Sequence, residues 1–529
     1  MGMLLSINYL RNMIFYRPEW TSGRYDRNTH SAICYNLLTG MSYFFEDISA
    51  DVLGTILASC RWGCVDTQVI CREFNLCGGE IATFFKQLVE IGLLSNSRLT
   101  QEEVYDVRKH ISAQRSMGGR QILNPNDKEL ADAERDYLDR THSKVYSLLI
   151  EMTYNCSEKC IHCYNPGASR NDGEKSGRSR FSELTIADYK RIIDEFYEAG
   201  LIRVTLSGGD PFSKPIIWEV IEYLYNKGIV FDIYTNGQRL IGNEDRIAKY
   251  YPCTVGISVY SDIPEVHDSI TRVSGSYKNT ICVLDKLAGL GITIGIKCCL
   301  MHQNIRSYRG VAKIADKYSA TLQIDCNIFD SVDGDTCASK YLRLSPEEMR
   351  IVLRDKDLTS YVGSEVENYG EVVVTDDKNI CAAGYASYCL TPDGKLTLCP
   401  SFPSVIGDLK MSSFIDVLNS PHLAFWKKAK RSDYKECGQK DYCKFCAPCP
   451  GLNFTKNGSP FVPSENNCYL AKMRKEVADM LKAGSDPLDG ASSIEEALCR
   501  LPMYTNNHIE ITKYKSYYAA QLSSIDNSR

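Results

Sequence analysis

The chain has 529 residues, a length that suggests about three domains. Hydrophobic residues make up 44% and charged ones 24%, a globular balance that excludes a disordered or fibrous protein. The formal charge of -5, without any lysine or arginine block, excludes a surface built for polyanions, so no nucleic-acid partner is expected.

Cysteine is the outlier. There are 23, an odd count, with eleven in two tight groups, which points to metal in a reducing compartment and away from a disulfide framework. The N-terminal segment lacks a basic n-region, an apolar stretch of signal length and a small-residue cleavage site. No segment approaches the ~20 apolar residues of a membrane span. A cytoplasmic protein with no membrane partner is expected.

Residues 31–36 and 41–46 are β-prone runs around the turn LLTG, a hairpin signal, and helical patterns follow at 51–59, 66–73 and 79–91. In the last of these Ile81, Phe84, Phe85, Leu88 and Val89 recur at three and four and share one buried face. Residues 1–99 therefore read as a winged helix-turn-helix module. Residues 100–142 are charged, hold Gly118, Gly119 and Pro125 and show no sustained apolar face, so they read as a linker with a helical stretch at 127–138.

From 143 to 330, β-prone runs alternate with amphipathic helices. Strands are predicted at 146–151, 202–206, 230–234, 254–259, 293–298 and 321–325. One intervening helix carries its own punctuation: Thr185 caps it, Asp188 completes a capping box, Ile186, Tyr189, Ile192, Ile193 and Phe196 face inward, and Gly200 ends it. Six β/α units imply an α/β fold, a partial (β/α)6 TIM-like barrel whose chemistry sits at the C-terminal ends of parallel strands. A bridging region, 331–375, leads to residues 376–470, rich in cysteine, glycine and proline and poor in periodicity, where metal is expected to replace a missing core. Residues 471–529 form a C-terminal region with one helix, near 469–482, and a polar tail.

Cys156, Cys160 and Cys163 stand as CSEKCIHCY directly after the first barrel strand, so one loop gathers three thiolates at the active edge of the sheet. A structural zinc site is closed by four ligands, whereas an iron-sulfur cubane held by three thiolates leaves one iron open. Zinc completed by His162 or a remote residue is the competing reading. LSGGDP at 206–211 follows the second strand, YTNG at 234–237 the third, and ISVY at 257–260 lies in the fourth. Each alone is an ordinary turn or strand end, but their order along one edge is not ordinary.

These residues resemble the radical S-adenosylmethionine (SAM) superfamily, whose C-x3-C-x2-C signature is matched by Cys156, Cys160 and Cys163, with aromatic Tyr164 following. The resemblance implies a SAM-binding 4Fe-4S cluster. Gly208 and Gly209 would admit the ligand close to the backbone and offer carbonyls to the methionine ammonium group. Asp210 stands where the superfamily usually has glutamate, one methylene shorter. Asn236 and Ser258 would meet the ribose hydroxyls, and Arg272, in HDSITRVSGSY, is a fork for the methionine carboxylate. The implied chemistry is reductive cleavage of SAM to methionine and a 5′-deoxyadenosyl radical that removes hydrogen from an unactivated carbon, fed by an external donor such as flavodoxin or ferredoxin.

In the second group, Cys381, Cys389 and Cys399 are separated by seven and nine residues, Cys437, Cys443, Cys446 and Cys449 by five, two and two, and Cys468 follows. Eight thiolates complete two cubanes. CAAGYASYCLTPDGKLTLCP resembles the SPASM domain, which carries auxiliary iron-sulfur clusters, so three 4Fe-4S clusters are implied in all. The resemblance implies Cys381, Cys389, Cys399 and Cys449 on one auxiliary cluster and Cys437, Cys443, Cys446 and Cys468 on the other. Lys440 or Tyr434 stands where the family has one more cysteine, and a zinc ribbon is the alternative. The other twelve cysteines, among them Cys298 and Cys299, lack cluster spacing and are expected to be buried apolar residues.

The N-terminal module is similar to the peptide-chaperone domain of ribosomal peptide maturation systems, which implies a precursor peptide whose leader adds as a strand to the wing edge. DNA binding is disfavoured, because residues 66–73 offer few cations. The whole reads as a radical SAM maturase that crosslinks a precursor peptide through a thioether or carbon–carbon bond. A sulfatase-maturase-like dehydrogenase, a peptide epimerase and a non-catalytic electron-transfer protein are the alternatives. Asp330, Asp333 and Asp335, in FDSVDGD after the last barrel strand, are weak candidates for a base, against a solvated acidic turn.

Overall fold

The structure, a computed structural model, describes residues 14–76, 78–117, 121–122, 128–165, 182–332, 337–355, 381–434 and 436–502. Near the N-terminus β1 (Phe15–Tyr16) pairs with β5 (Cys64–Val65), and β2 (Thr21–Asp26), β3 (Ser31–Asn36) and β4 (Met41–Glu46) form an antiparallel sheet with β3 in the centre. The expected hairpin is β3–β4, and the three expected helices are Asp47–Ala58, Thr67–Glu73 and Gly78–Glu90. Strand β2 carried no sequence signal, since TSGRYD has no apolar alternation.

β3 is buried along its whole length because each face meets a different core. Ala32 and Cys34 pack with the module's own helices through Leu53, Ile56, Ile81 and Phe85. Ile33 and Tyr35 join Trp20, Trp62, Ile202, Val230 and Tyr251 in a cluster shared with the barrel. The supposed linker belongs to this cluster too. Helices Gln101–Met117 and Lys128–Arg140 contribute Val104 and Tyr137, and β6 (Gln121–Ile122) pairs with the last barrel strand.

The barrel strands β7 (Ser147–Glu151), β8 (Arg203–Ser207), β9 (Val230–Thr235), β10 (Thr254–Ser258), β11 (Ile294–Cys299) and β12 (Thr321–Asp325) run parallel in sequence order, the expected partial (β/α)6 arrangement. Side chains alternate across it. Ile150, Leu206, Ile233, Ile257, Ile296 and Ile324 lie buried in the main core, and the alternate set, including Glu151, Ser207, Ser258, Cys299 and Asp325, occupies the opposite face of the sheet at the C-terminal ends.

At the β7 edge the sheet continues. β13 (Ser387–Leu390) pairs parallel with β7, and β14 (Lys395–Cys399) and β15 (Phe402–Asp408) follow antiparallel, making one ten-stranded sheet. The expectation that metal replaces a core here is corrected: Leu390, Leu396, Leu398, Phe402, Phe414 and Trp426 are buried in the barrel's own hydrophobic cluster. Register shifts between Leu396 and Cys399 break the alternation that would have signalled these strands. Helices Pro346–Arg354, Glu465–Lys482 and Ile494–Arg500 pack together alongside. Among the described residues no helix is long and apolar enough to cross a membrane.

Candidate functional site

Residues 152–165 leave the C-terminal end of β7 and are laced to two neighbouring loops. On one side Gly209 N donates to Thr153 O at 2.7 Å and Asp210 N to Asn155 O at 3.0 Å; on the other, Lys159 N donates to Thr271 O and Ile161 N to Ile270 O, both at 3.0 Å. A Cβ at Gly208, whose φ is +123°, would stand 2.4 Å from Thr153 O, and one at Gly209 2.5 Å from Asn155 O. These glycines are therefore demanded by the approach of the cysteine loop itself. The Gly208 carbonyl, expected to face a ligand, accepts from Asn165 Nδ2 at 3.0 Å.

The other motif residues gather around this loop. Asp210 is fully buried and accepts from Thr235 Oγ1 at 2.5 Å, while Thr235 Oγ1 accepts from Gly237 N at 3.0 Å, so the GGDP and TNG turns are tied together. Burial pushes the Asp210 carboxyl up to about 6. Asn236, expected at a ribose, places Nδ2 3.3 Å from Cys156 Sγ. Ser258 ends β10, and Arg272, left-handed at φ 57°, follows the carbonyls of Ile270 and Thr271 that hold the cysteine loop. The Tyr164 carbonyl accepts from Val332 N at 2.9 Å. Burial, then the fields of Glu151, Cys389, Cys163 and Cys399, raise its phenol well above the usual range.

Burial pushes Cys156 up to about 12 and Cys160 well above its ordinary value, and each thiol also feels the charge of its neighbours. A buried thiol so placed keeps its proton unless a metal takes the proton's place. Glu158, buried and pushed up by burial to about 8, receives Cys160 Sγ at 3.5 Å. His162, the zinc alternative's fourth donor, instead stacks edge-on against Tyr260 with ring centroids 4.7 Å apart. A donor set of three thiols fits a cluster with an open iron.

Cys399 lies in the field of Cys449 and Cys381, and Cys389 in that of Cys399. Cys446 feels Cys437, Cys468 and Cys443, and these four line one pocket. Four thiols on one pocket are a donor set suited to an iron-sulfur cluster. Of the other cysteines, Cys298 is buried as expected, but Cys60, Cys64, Cys282 and Cys499 are exposed.

Some of the interior was missed. Lys297 Nζ sits 3.8 Å from the centre of the Tyr234 ring and donates to Gln323 Oε1 at 2.6 Å, and burial lowers it to about 8. Cys299, two residues on and on the same face, lies in the field of Asp325 and Cys163. The signal was available in IGIKCC, where a strand's period of two puts Lys297 and Cys299 together. A cleft of about 210 Å³ opens between the end of β7 and the β14–β15 hairpin, lined by Glu151, Tyr154, Asn165, Glu183, Asp393 and Lys395 among others. Asp330 is buried, unlike a solvated turn, whereas Asp333 and Asp335 lie outside the described residues.

A parallel barrel with a three-cysteine loop at its mouth and eight further thiols beside it defines a radical SAM enzyme with an SPASM extension. The profile of the Radical SAM superfamily matches residues 150–313, and that of the SPASM iron-sulfur cluster-binding domain residues 381–450. The chain carries a radical SAM domain, the kind that binds SAM and a 4Fe-4S cluster, followed by an SPASM iron-sulfur cluster-binding domain. It is 24% identical to the antilisterial bacteriocin subtilosin biosynthesis protein AlbA of Bacillus subtilis (strain 168), over 63% of this chain and 72% of that protein. It is 26% identical to the mycofactocin maturase MftC of Mycobacterium tuberculosis (strain CDC 1551 / Oshkosh), over 47% of this chain and 63% of that protein. The fold is that of Streptococcus suis SuiB, crystallised with its precursor peptide SuiA, at a TM-score of 0.52 and 14% identity over 86% of this chain and 99% of that one.

Proposed function

We propose that the chain matures a ribosomally made precursor peptide, abstracting hydrogen from it and joining two of its atoms by a thioether or carbon–carbon crosslink. What supports this reading is the union of a β-edge unpaired among the described residues, a three-thiol loop at the barrel mouth and eight further thiols beside it. Its relatives' names, a bacteriocin biosynthesis protein and a maturase, point the same way. Strand β4 is an edge of its sheet, with Phe45 against Phe84 of helix Gly78–Glu90 beside it, a form suited to adding a leader strand. No such edge is needed by a sulfatase-maturase-like dehydrogenase.

Three 4Fe-4S clusters complete the assignment. Cys156, Cys160 and Cys163 would hold the one that binds SAM, Cys381, Cys389, Cys399 and Cys449 one auxiliary cluster, and Cys437, Cys443, Cys446 and Cys468 the other. When bound and reduced, with electrons from a flavodoxin or ferredoxin, the first cluster and SAM supply the 5′-deoxyadenosyl radical. The chain's part is positioning: Asn236 Nδ2 faces the Cys156 sulfur, Gly208 and Gly209 seat the cysteine loop, and Glu151, with Tyr154 Oη donating to it at 3.1 Å, walls the cleft toward the SPASM hairpin.

Each crosslink removes two hydrogens from the peptide, one as an atom taken by the 5′-deoxyadenosyl radical and one as a proton to solvent, its electron passing to an iron-sulfur centre that the SPASM domain would hold. Anaerobic turnover of the reconstituted enzyme with SAM, dithionite and a leader-bearing candidate peptide taken from the open reading frames flanking its gene should give a product about two mass units lighter per crosslink. Deoxyadenosine with unchanged peptide mass would overturn crosslinking in favour of epimerisation, and no deoxyadenosine at all would leave the electron-transfer reading.

A further inference from the structure

We infer that the precursor peptide must carry a spacer of at least about eight residues between the leader segment docked on β4 and the residue modified, since edge and radical site lie at opposite ends of the barrel. This rests on the leader-docking reading above and adds a requirement on the substrate.

The placement follows from which barrel groups the module grips. Arg61 Nη2 donates to the Tyr225 carbonyl at 2.8 Å, its guanidinium 3.7 Å from that ring, just inside the end of helix Ile217–Asn226. Arg24 Nη1 donates at 2.6 Å to the carbonyl of Tyr197, in the last turn of helix Ile186–Glu198. Arg108 Nη2 reaches the Ala248 carbonyl at 2.6 Å, and Tyr251 Oη donates to Glu19 at 2.9 Å shortly before β10 begins. Tyr35 Oη meets Tyr146 Oη at 2.6 Å immediately before β7. Every barrel group named is at a helix end or a strand start. In a parallel barrel these positions share the face opposite the strand C-termini.

Cys156, Cys160 and Cys163 follow the C-terminal end of β7, so they occupy the other face. The module has little freedom to swing closer, since Trp20, Trp62, Ile202, Val230 and Tyr251 make one buried cluster across the junction. Barrel strands of five or six residues at ~3.3 Å each are about 15–20 Å long, and a packed layer adds about 10 Å. The edge and the cysteine loop are thus at least about 25 Å apart. An extended peptide covers at most ~3.3–3.6 Å per residue, so about eight residues are the minimum, and a path around the outside needs more. Below that length the radical site sees no tethered substrate however tightly the leader binds.

The test uses the full chain with reconstituted clusters and the peptide from the flanking open reading frames that the enzyme modifies, made in native form, with the spacer cut to about four residues, with the cut restored to native length by Gly-Ser, and, as a control, without its leader. Fluorescence anisotropy reads binding and mass spectrometry reads product. All three leader-bearing forms should bind within about twofold of one another, while the cut form loses at least about tenfold in product and the restored form regains it. A cut form that binds and is modified at the native rate overturns the spacer requirement and leaves leader docking intact. A leaderless peptide that binds as tightly as the native one overturns leader docking itself, and a cut form that no longer binds overturns docking through the leader segment alone.

Discussion

Substituting alanine at Gly209 tests the seating of the cysteine loop directly. Gly209 is not among the residues with positive φ, so alanine meets no backbone strain there and the effect is purely one of space. The new Cβ would lie 2.5 Å from Asn155 O, 2.6 Å from Tyr154 O and 2.8 Å from Tyr154 C, all of them backbone atoms. Ordinary contact is ~3.5 Å or more, so about 1 Å is missing, and no rotamer change can supply it. The loop must move. Overpacking of this kind costs about 1–3 kcal/mol. For a domain of this barrel's size that is a Tm lower by roughly 2–12 °C. A displacement of about 1 Å next to Cys156 can lower the rate of SAM cleavage by ~100-fold. The assay is calorimetry, iron per chain and deoxyadenosine formation, with Gly79→Ala as control: nothing lies within 4 Å of that site, and the control should be stabilised by roughly 0.5–1 kcal/mol. Full iron content and wild-type deoxyadenosine formation in Gly209→Ala would refute the reasoning.

Glu151, buried and pushed up by burial to about 7 from 4.5, should contribute stability that is complete below pH 4.5 and lost as pH rises to about 7, about 3 kcal/mol in all. Wild type measured against Glu151→Gln by urea midpoint should show that decline, and a difference independent of pH would contradict it. Asn236→Ala removes the donor 3.3 Å from Cys156 Sγ and should shift the SAM-binding cluster to lower potential, as read by an EPR redox titration; an unmoved potential refutes the contact. Trp20→Ala, which deletes a buried ring 5.5 Å from Trp62 and a donor to Gly92 O, should cost about 3–5 kcal/mol and lower a single transition for module and barrel together, whereas two separate transitions would argue against a shared core. Cys399→Ala and Cys446→Ala should each deplete a different auxiliary EPR signal, and loss of the same signal from both would overturn the partition.

Local chemistry made much of this legible. The capping box at the start of helix Ile186–Glu198 is present, with Thr185 N donating to Asp188 at 2.8 Å and Asp188 N to Thr185 Oγ1 at 3.3 Å, because both halves lie within four residues. Hairpin β13–β14 was illegible for the opposite reason: its pairing partner β7 lies more than two hundred residues earlier, and bulges blur its alternation. Gly208 and Gly209 stood out in the sequence, but what approaches them, the backbone of residues 153–155, could only be seen once β7 and β8 lay side by side.

The amino-acid order by itself determined the six β/α units, the three-thiol loop after the first strand and the presence of eight further thiols, because periodicity and short spacings act within a few residues. Tertiary structure decided that the connector after the first module is part of the junction core, and that this module packs on the barrel face opposite the three-cysteine loop. These depend on parallel strands pairing across long separations and on burial of Trp20, Trp62 and Tyr251 against the barrel base, contacts whose energy exists only when distant segments exclude water together.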